Sequence, residues 1–445
     1  MEMTMRTRLS VSLLAVAVIA LLGSACAERA KLSPSQTSGP HPVIPEPDKA
    51  LLPTVKIAPA TGWKAGESPA PAQGLQVQAF ATGLSHPRWL HVLPNGDVLV
   101  AEAARPPTPD PQSNPIRDAF MKKAFEQAGS AVPSANRISL LRDKDGDGIA
   151  ETKTVFLADL FSPFGMALSG DRLYVANADA LVSVPYKTGD TQSTATPEKL
   201  ADLPGVPRNH HWTKSLLASP DGRTFYVGVG SNSNVAEHGM EIEANRAAIL
   251  AIDAATGARR VFASGLRNPV GLAWEPRSRA LWVVVNERDE LGSDLVPDYL
   301  TSVKDGAFYG WPWSYYGATV DTRVKPERPD MVEKAIAPDY ALGPHVAALG
   351  LAFATGDKMP AQYRNGAFIG LHGSWNRDPP SGYKVVFVPF ANGKPSGVQQ
   401  DVLTGFRDDA GNARGRPVGV AMAKDGALLV ADDVGNAVWR VSPAR

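Results

Sequence analysis

Histidine and arginine recur at one position of a sequence motif that occurs six times in the chain. Copy by copy, the residues at this place are His86, Phe161 or Ser162, His210 with His211 and Trp212, Arg267 with Asn268, His345, and Arg414 with Arg416. Five of the six copies supply a His, Arg or Asn, although Gly, Asn and Asp serve turns better than His or Arg. Imidazoles and guanidiniums around one axis bind polyanionic molecules, and a neutral imidazole accepts protons. We therefore predict a binding or catalytic site at this place.

The repeated motif also predicts the fold that positions these residues. Each copy leads through a small residue into β-rich runs, and the aligned positions are Trp89, Gly165, Ser215, Gly271, Gly350 and Gly419. The copies recur every 50 to 79 residues, which fits blades of four short strands with insertions in some of them. We predict an all-β fold, a six-bladed β-propeller over residues 73–445. Equivalent positions then ring the mouth of its central channel.

Two long insertions interrupt the predicted blades. Residues 105–135 begin with a proline-rich stretch and continue into a short predicted helix. Residues 289–345 are rich in Trp and Tyr, and insertions of this kind often shape a site on one face of a propeller. Tyr309 and Trp311 could cover a ligand or pack on their own domain, and the sequence leaves both interpretations open.

Asp143, Asp145 and Asp147 place carboxylates at alternate positions, as in the first half of a calcium loop. Thr154 stands where an EF-hand carries its bidentate Glu, and Glu151 comes too early. The flanking residues look like strands. A hairpin turn is the simpler interpretation, and a structural Ca²⁺ site is the alternative.

The N-terminus has the pattern of an export signal. Arg6 and Arg8 precede an apolar run at residues 11–22, which is too short for a comfortable membrane span. Cys26, the only cysteine, resembles the acylated cysteine of a bacterial lipobox, although Gly23 replaces the usual Leu; simple cleavage nearby is the alternative. We predict that residues 1–26 are a lipoprotein-type signal peptide and that the exported, periplasmic protein attaches to the membrane only through lipidated Cys26.

The composition of residues 27–72 indicates how this segment behaves. Residues 27–72 are rich in Pro, Ser, Ala and Lys without periodicity, which predicts a mobile tether from which a few residues could add an outer strand.

Lys and Arg total 45, as do Asp and Glu, so the net charge gives no reason to expect a nucleic-acid partner.

The chain also resembles a known family. The segments that carry the resemblance are, in order, HHWTKSLLASPDG, GLRNPVGLAW, NERDELGSDLVPDYL, FYGWPWSYYG, GLHGSWNRDPPSGYKVVFVPF and RGRPVGVAM. They resemble the pyrroloquinoline-quinone-dependent sugar dehydrogenases, most closely the L-sorbosone dehydrogenase branch and more distantly the soluble glucose dehydrogenases. The resemblance spans about residues 75–441. It implies pyrroloquinoline quinone and Ca²⁺ as cofactors, and a small sugar or a sugar-derived alcohol or aldehyde as substrate, with an unidentified electron acceptor.

The resemblance further implies roles for individual residues. His211 matches the histidine base, which takes the hydroxyl proton while hydride passes to the quinone. His210 stands where the glucose enzymes carry a carboxylate partner, which leaves the orienting group open and makes His210 the alternative base. The residues implied in binding the quinone are Arg267, Asn268, Arg414 and Arg416, with Arg377 as a substitute cation and Trp375 as a stacking ring. Backbone carbonyls of Asp289, Glu290 and Leu291 match the segment that binds the cofactor's Ca²⁺.

Two other functions compete with a dehydrogenase. A non-catalytic propeller that binds ligands or proteins is the main alternative, because fold similarity does not guarantee the chemistry and the chain departs from the glucose enzymes at residues 162–164 and 210. A lactonase-like metal hydrolase needs carboxylates and amides in the channel, whereas the ring here is mostly Arg and His.

Overall fold

The computed structural model describes residues 29–48, 54–107, 115–206 and 208–444. The predicted signal peptide and Cys26 lie outside this part of the chain. The strands, in chain order, are β1 (Ala70–Pro71), β2 (Leu75–Thr82), β3 (Pro87–Val92), β4 (Val98–Glu102), β5 (Arg137–Arg142), β6 (Thr152–Leu157), β7 (Met166–Ser169), β8 (Arg172–Ala176), β9 (Ala180–Pro185), β10 (Glu198–Asp202), β11 (Lys214–Ala218), β12 (Thr224–Val229), β13 (Ala248–Asp253), β14 (Arg259–Ser264), β15 (Asn268–Trp274), β16 (Leu281–Asn286), β17 (Pro297–Val303), β18 (Ser314–Tyr315), β19 (Thr319–Val320), β20 (Tyr340–Pro344), β21 (Ala348–Phe353), β22 (Gly366–Leu371), β23 (Lys384–Ala391), β24 (Lys394–Pro395), β25 (Gln400–Thr404), β26 (Pro417–Met422), β27 (Leu428–Asp432) and β28 (Ala437–Pro443). The helices are α1 (Pro34–Thr37), α2 (Pro115–Gln127) and α3 (Pro329–Val332), and 3-10 turns lie at Glu241–Glu243 and Ala361–Tyr363.

Six antiparallel sheets form the blades and confirm the predicted six-bladed propeller. The blades are β3–β6 (blade 1), β7–β10 (blade 2), β11–β14 (blade 3), β15, β16, β17 and β20 (blade 4), β21, β22, β23 and β25 (blade 5), and β26, β27, β28 and β2 (blade 6). The innermost strands contact one another in the closed order β3, β7, β11, β15, β21, β26 and back to β3. Buried Val, Leu and Ile side chains fill the spaces between neighbouring blades.

The aligned glycines of the repeats lie where inner strands of adjacent blades come close together. A Cβ atom on Gly350 would lie 2.3 Å from the carbonyl oxygen of Val418 in blade 6. A Cβ atom on Gly419 would lie 2.9 Å from the carbonyl oxygen of Arg88 in blade 1. No side chain fits at such distances, so the glycines let the inner strands pack closely around the channel.

The first and last strands of the propeller meet in blade 6. Strand β2, from the N-terminal side, pairs antiparallel with β28, from Leu75 opposite Pro443 to Thr82 opposite Ala437. The ladder hydrogen bonds of β2 therefore join the start of the propeller to its end and close the ring.

Residues 29–48 and 54–72, which we call the strap, pack against the propeller, whereas the sequence predicts a mobile tether. Gly39 forms a bridge with Ala341, and β1 pairs with β25 at the outer edge of blade 5. Ala58 is buried, and the Trp63 indole Nε1 donates to Asp432 Oδ2 at 2.7 Å. The backbone N–H groups of the strap donate to carbonyls in several parts of the propeller, including those of Ala341, Ala413 and Val402.

The predicted insertion at residues 289–345 is shorter than expected. Its range includes β17 and β20, the third and fourth strands of blade 4, so only the segments before, between and after them are additional. Tyr309 and Trp311 are buried; the Tyr309 hydroxyl donates to the Ser302 carbonyl, and the Trp311 indole donates to the Asn234 carbonyl. These aromatic residues thus pack on their own domain. The predicted helix in residues 105–135 is present as α2.

Candidate functional site

A cavity of about 290 Å³ opens where the blades meet the strap and α2. Part of its lining comes from residues at or just before the inner strands, namely His210, His211, Arg267, Asn268, His345, Ala347 and Arg416. Another part comes from the ends of second strands and the loops after them, including Asn286, Glu287, Asp289, His372, Trp375 and Asn376. The apolar part comes from Ile57 of the strap and from Met121, Ala124, Phe125 and Ala128 in and beside α2. Six residues of the predicted ring thus meet in one cavity, whereas five do not line it, namely His86, Phe161, Ser162, Trp212 and Arg414.

His211 is held in one tautomer by the backbone. Its Nδ1 atom lies 2.7 Å from the carbonyl oxygen of Ser231, and a carbonyl can only accept, so Nδ1 carries the proton. The Nε2 atom therefore keeps its lone pair. Burial, followed by the positive charge of Arg267, lowers the pKa of His211 well below its usual value. A neutral imidazole with an unprotonated Nε2 is equipped to accept a proton in the cavity.

His210 lies beside His211, with ring centroids 5.0 Å apart. Burial, followed by the charges of Arg105 and Arg267, lowers the pKa of His210 to about 3. Among the described residues, no hydrogen bond fixes the His210 ring, whereas Ser231 fixes that of His211. His211 is therefore the better-positioned base.

Gly230 makes room for two residues of the site. A Cβ atom at this position would lie 2.3 Å from Asn268 Oδ1 and 2.5 Å from the Cβ atom of His211. Asn268 and His211 come from blades 4 and 3, so the absence of a side chain at Gly230 sets how closely these two blades bring their functional residues together.

Arg267 is a buried cation with most of its donors in use. Its Nη1 donates to the Glu287 carbonyl at 2.6 Å, and its Nη2 donates to Asn234 Oδ1 and to Asp289 Oδ2, each at 3.0 Å. Its Nε atom is buried without a partner. The guanidinium is fixed in orientation and still has a donor to offer.

Asp289 ties Arg267 to two further cavity residues. Its Oδ1 accepts from Asn376 Nδ2 at 2.7 Å and lies 3.7 Å from His345 Nδ1. Burial alone would raise the pKa of Asp289, but the charge of Arg267 and the contact with His345 outweigh it and lower the pKa to about 2. Burial alone would lower the pKa of His345, but Asp289 raises it above its usual value. The result is a network in which half-buried Asp289 joins buried Arg267 and buried His345.

Arg416 lies in the cavity, whereas its neighbour Arg414 lies outside it. The Arg416 Nη2 donates to the Ala58 carbonyl of the strap at 3.2 Å, its guanidinium stacks 5.0 Å above the Tyr383 ring, and its Nε is buried without a partner. Arg414 is half-buried and faces Glu67 at 3.8 Å. The structure does not support the predicted contact of Arg414 with a bound molecule.

Arg377 and Trp375 have different positions. Arg377 is buried outside the cavity lining, where it donates to the carbonyls of Ser293 and Pro379 and pairs with Asp294. This guanidinium is used to hold loops together and is not a substitute cation for the cavity. Trp375 lines the cavity and keeps 38% of its surface exposed, so its ring is available for stacking.

The carbonyls predicted to bind calcium are largely engaged by donors. The Asp289 carbonyl accepts from Asn234 Nδ2 at 3.1 Å and from Arg323 Nη1 at 3.0 Å, which uses both of its lone pairs. The Leu291 carbonyl accepts from the Asp48 backbone N–H at 3.0 Å. A cation beside the Arg323 guanidinium is electrostatically unfavourable, so the structure argues against the Asp289 carbonyl as a Ca²⁺ ligand. Binding of Ca²⁺ by the Glu290 carbonyl stays a prediction.

The family follows from a comparison with known proteins. The profile of the TrAA12-like family matches residues 135–299 and 325–444, more than half of the chain, including five of the six inner strands. The chain belongs to the TrAA12-like family. This match confirms the resemblance to the propellers of quinone-dependent sugar dehydrogenases.

Individual relatives of this TrAA12-like chain agree with the match. The pyrroloquinoline quinone-dependent pyranose dehydrogenase of Coprinopsis cinerea is 24% identical over 431 residues, which cover 83% of this chain and 54% of that protein. The chain thus spans about half the length of this relative. The solved quinone domain of the Coprinopsis cinerea enzyme, in its holo form, superposes with a TM-score of 0.68 at 22% identity and covers 87% of this chain and 100% of that one. A calcium structure of a Trichoderma reesei family AA12 enzyme gives a TM-score of 0.68 at 19% identity, covering 88% and 99%. At these identities the structures show a common fold.

Three residues at or beside the cavity were not predicted from the sequence, namely His372, Asp433 and Asp298. His372 lines the cavity, and its Nε2 lies 2.8 Å from Asp433 Oδ2. Burial raises the pKa of Asp298, another lining residue, to about 7, although backbone N–H groups of Glu287 and Ala347 oppose the shift. His372 and Asp433 end second strands of neighbouring blades, and their alignment across the repeats is the signal that could have revealed them.

The acidic loop of this TrAA12-like chain lies on blade 1, between β5 and β6. Carboxylate oxygens of Asp143, Asp145, Asp147 and Glu151 all lie within 4.8 Å of one another. Asp143 also accepts from the backbone N–H groups of Gly146 and Gly148, as expected for a hairpin turn. Glu151, which seemed too early for an EF-hand, belongs to the group. A structural Ca²⁺ here stays a prediction.

Proposed function

We propose that the chain is a quinoprotein dehydrogenase that oxidises a sugar, or a sugar-derived alcohol or aldehyde such as sorbosone, by hydride transfer to pyrroloquinoline quinone. The observation that carries this proposal is the orientation of His211. Its Nδ1–H is fixed on the Ser231 carbonyl, which leaves Nε2 as the acceptor, and His211 lines a cavity that also contains Arg267 and Arg416. The names of the relatives support the same chemistry.

The donor set fits an anionic, planar molecule. Pyrroloquinoline quinone carries three carboxylates on a fused aromatic ring, and Arg267 and Arg416 each keep a buried Nε without a partner. Guanidinium groups suit carboxylates because their donors match the spacing of the two oxygens. The exposed face of Trp375 offers a stacking surface, and about 290 Å³ approaches the usual volume of a small-ligand cavity. When bound, the quinone supplies a two-electron acceptor for hydride.

The chain's own residues do the remaining work. His211 removes the hydroxyl proton at Nε2, and the Ser231 carbonyl stabilises the imidazolium that forms. Arg267 and Arg416 orient the bound anion. Met121 and Phe125 of α2 form an apolar wall that limits the access of water to the reacting carbon.

A calcium ion beside the quinone is part of the proposal. It is supported by the calcium-bound Trichoderma reesei structure of the same fold. The engaged carbonyl of Asp289 does not fit as its ligand, so we assign no residue to the ion and no step to it.

Export and anchoring at Cys26 are also proposed, on the sequence pattern alone. Within the described residues, no helix is long and apolar enough to cross a membrane. Labelling with a radioactive fatty acid in a bacterial host tests the anchor: wild type should be labelled and Cys26→Ala should not, and label retained in Cys26→Ala would contradict it. The electron acceptor is proposed to be external, and a redox dye replaces it in the experiment below.

A titration of the purified protein with pyrroloquinoline quinone, with and without added Ca²⁺, tests the function. We expect saturable binding by quinone absorbance and dye reduction with some members of a panel of aldoses and sorbosone. His211→Gln should bind the quinone and lose turnover by about 10²- to 10⁴-fold. Arg416→Ala should weaken binding, whereas Arg414→Ala, the matched arginine outside the cavity, should not. Absence of binding at micromolar quinone would instead support a ligand- or protein-binding propeller.

A further inference from the structure

Two buried basic side chains hold the backbone on which His211 lies. Arg246, which precedes β13, donates from Nη2 to the carbonyl of His211 itself at 3.1 Å. Lys214, the first residue of β11, donates from Nζ to the Trp212 carbonyl at 3.0 Å. Both side chains are buried. Residues 209–214, which we call the base segment, are therefore held by side-chain donors on two successive carbonyls.

Asn209 joins the two basic side chains into one network. Its Oδ1 accepts from Arg246 Nη2 at 3.0 Å and from Lys214 Nζ at 3.1 Å, and its Nδ2 donates to the Ala178 carbonyl at 3.1 Å. Arg246 Nη1 also donates to the Pro204 carbonyl at 2.8 Å. Ala178 lies between β8 and β9, and Pro204 follows β10. The network thus ties the base segment of blade 3 to blade 2.

Arg246 brings a positive charge into this network. Burial lowers the pKa of Arg246 to about 10, which leaves the guanidinium charged at neutral pH. Glu243 is the carboxylate that favours this charge, but in the part of the chain that the structure describes the two side chains form no direct ion pair. A buried charge without a paired carboxylate is costly, and a neutral donor could hold the same carbonyls at less cost. The charge therefore indicates a role beyond packing.

The charge of Arg246 acts on His211. The charged and titratable groups that face His211 are Arg267, which precedes β15, the adjacent His210, and Arg246. All three oppose a positive charge on the imidazole, whereas the Ser231 carbonyl favours it. Arg267 and His210 line the cavity, but Arg246 does not. Arg246 is thus placed to act on His211 without contacting a molecule bound in the cavity.

We propose that Arg246 is a positioning residue for His211 and holds the base segment through the His211 carbonyl and the Asn209 side chain. With that carbonyl fixed, the imidazole keeps its Nδ1–H on the Ser231 carbonyl and Nε2 as the acceptor. A backbone that moves would let the ring change its orientation, and small displacements of a reacting group are costly for the rate. The effect on turnover rests on the proposed function, whereas the effect on the His211 ring does not.

Steady-state kinetics of the quinone-loaded protein, measured over a range of pH, test the role of Arg246. Arg246→Gln should bind quinone within about threefold of wild type, because Arg246 does not line the cavity, and lose kcat by about tenfold or more. The fall of kcat/KM at low pH should begin at higher pH, because one of the charges that opposes protonation of His211 is gone. Arg246→Lys keeps the charge, so it should leave the pH of this fall at the wild-type position and recover part of kcat.

Arg377→Gln is the matched control. Arg377 is also a buried guanidinium that donates to two backbone carbonyls, those of Ser293 and Pro379, and it lies outside the cavity lining. Its substitution should cost stability and leave the pH of the fall in kcat/KM unchanged. Lys214→Met removes the other basic side chain while Arg246 stays, and it tests the network if Arg246→Gln fails to fold. We expect it to lower kcat by about threefold or more without moving the fall in kcat/KM.

Nitrogen NMR of the quinone-free, histidine-labelled protein gives a readout that does not depend on activity. The His211 signals are identified by their loss in His211→Gln. Wild type should show a proton on Nδ1, and Arg246→Gln should show a higher His211 pKa and a mixture of tautomers.

An unchanged His211 pKa and tautomer in Arg246→Gln would overturn the role of Arg246, as would an unchanged kcat in both Arg246→Gln and Lys214→Met. Failure of the wild-type protein to bind quinone would overturn the proposed function, while the NMR result would still decide the role of Arg246.

Discussion

The Nη2 atom of Arg267 lies 3.0 Å from Oδ2 of Asp289, and both side chains line the cavity. Breaking a fully buried pair by removing one charge costs about 3–5 kcal/mol, because the other charge is left uncompensated. The Asp289 side chain keeps 20% of its surface exposed, so solvent screens the pair, and we expect Asp289→Asn to lower the free energy of unfolding by about 1–3 kcal/mol, measured by urea denaturation at pH 7. Asp305→Asn, which breaks the exposed pair with Arg260, is the control and should change it by about 1 kcal/mol or less. Equal effects of the two substitutions would contradict the prediction.

The same network predicts how stability depends on pH. The pKa of Asp289 is lowered from 3.8 to about 2, so its contribution is present above about pH 4 and is lost as the pH falls toward 2. The pKa of His345 is raised above 6.5, so its contribution is present below that value and is lost as the pH rises through the folded-state pKa. In Asp289→Asn both dependences should weaken. Thermal melts from pH 2 to 9 measure both dependences. A difference in melting temperature between Asp289→Asn and wild type that stays constant over this range would contradict the link between these pKa shifts and Asp289.

The activity should depend on the neutral form of His211. Because burial and Arg267 lower its pKa well below 6.5, the base stays unprotonated throughout the neutral range. We expect kcat/KM to be flat between pH 8 and pH 6.5 and to fall only at lower pH. A stopped-time dye assay across this range, at constant ionic strength, measures it. A protonation step with its midpoint at or above 6.5 would show that another group limits the rate.

Gly230→Ala should damage the site more than the fold. The new methyl group would overlap Asn268 Oδ1 and the His211 Cβ atom, so one or both must move. We expect about 1–3 kcal/mol of destabilisation from overpacking and at least a tenfold loss of kcat. Gly66→Ala, where nothing lies within 4 Å, is the control and should cost about 1 kcal/mol through its φ of +81° without loss of kcat. Normal activity of Gly230→Ala would show that the two side chains adapt.

The strap should contribute to stability through Trp63. Its indole donates to Asp432, a buried carboxyl whose pKa burial raises to about 6 despite four donors. Trp63→Phe removes one donor and should cost about 1–3 kcal/mol. Trp313→Phe, which removes a solvent-exposed hydrogen bond to the Pro326 carbonyl, should cost less. Guanidinium denaturation measures the loss of unfolding free energy in both variants. Equal losses would show that the Trp63 hydrogen bond does not stabilise the strap more than an exposed hydrogen bond does.

The sequence predicted the blades because their inner strands repeat the same close packing, which demands a small residue in most copies. It placed His211, Arg267 and Arg416 in one ring because their residue types suit proton transfer and anion binding, and all three line the cavity; their roles stay predictions. It did not predict Ser231, whose contribution is a backbone carbonyl that any residue would provide. The strap was misread as a tether because its order comes from contacts such as Gly39 with Ala341, which are remote in sequence. Arg377 lies outside the cavity lining, and residue type alone does not distinguish a cavity cation from one buried against Ser293 and Asp294.

The pairing of β2 with β28 has a consequence for how the molecule reaches its native state. Residues 75–82 leave the ribosome early, but their partners at residues 437–443 are synthesised after the strands of blades 1 to 5. The contact with the largest sequence separation in the propeller can therefore form only after the other blades have been made, and such non-local contacts slow folding. Until then the edges of β2 and β28 are unpaired and open to intermolecular association.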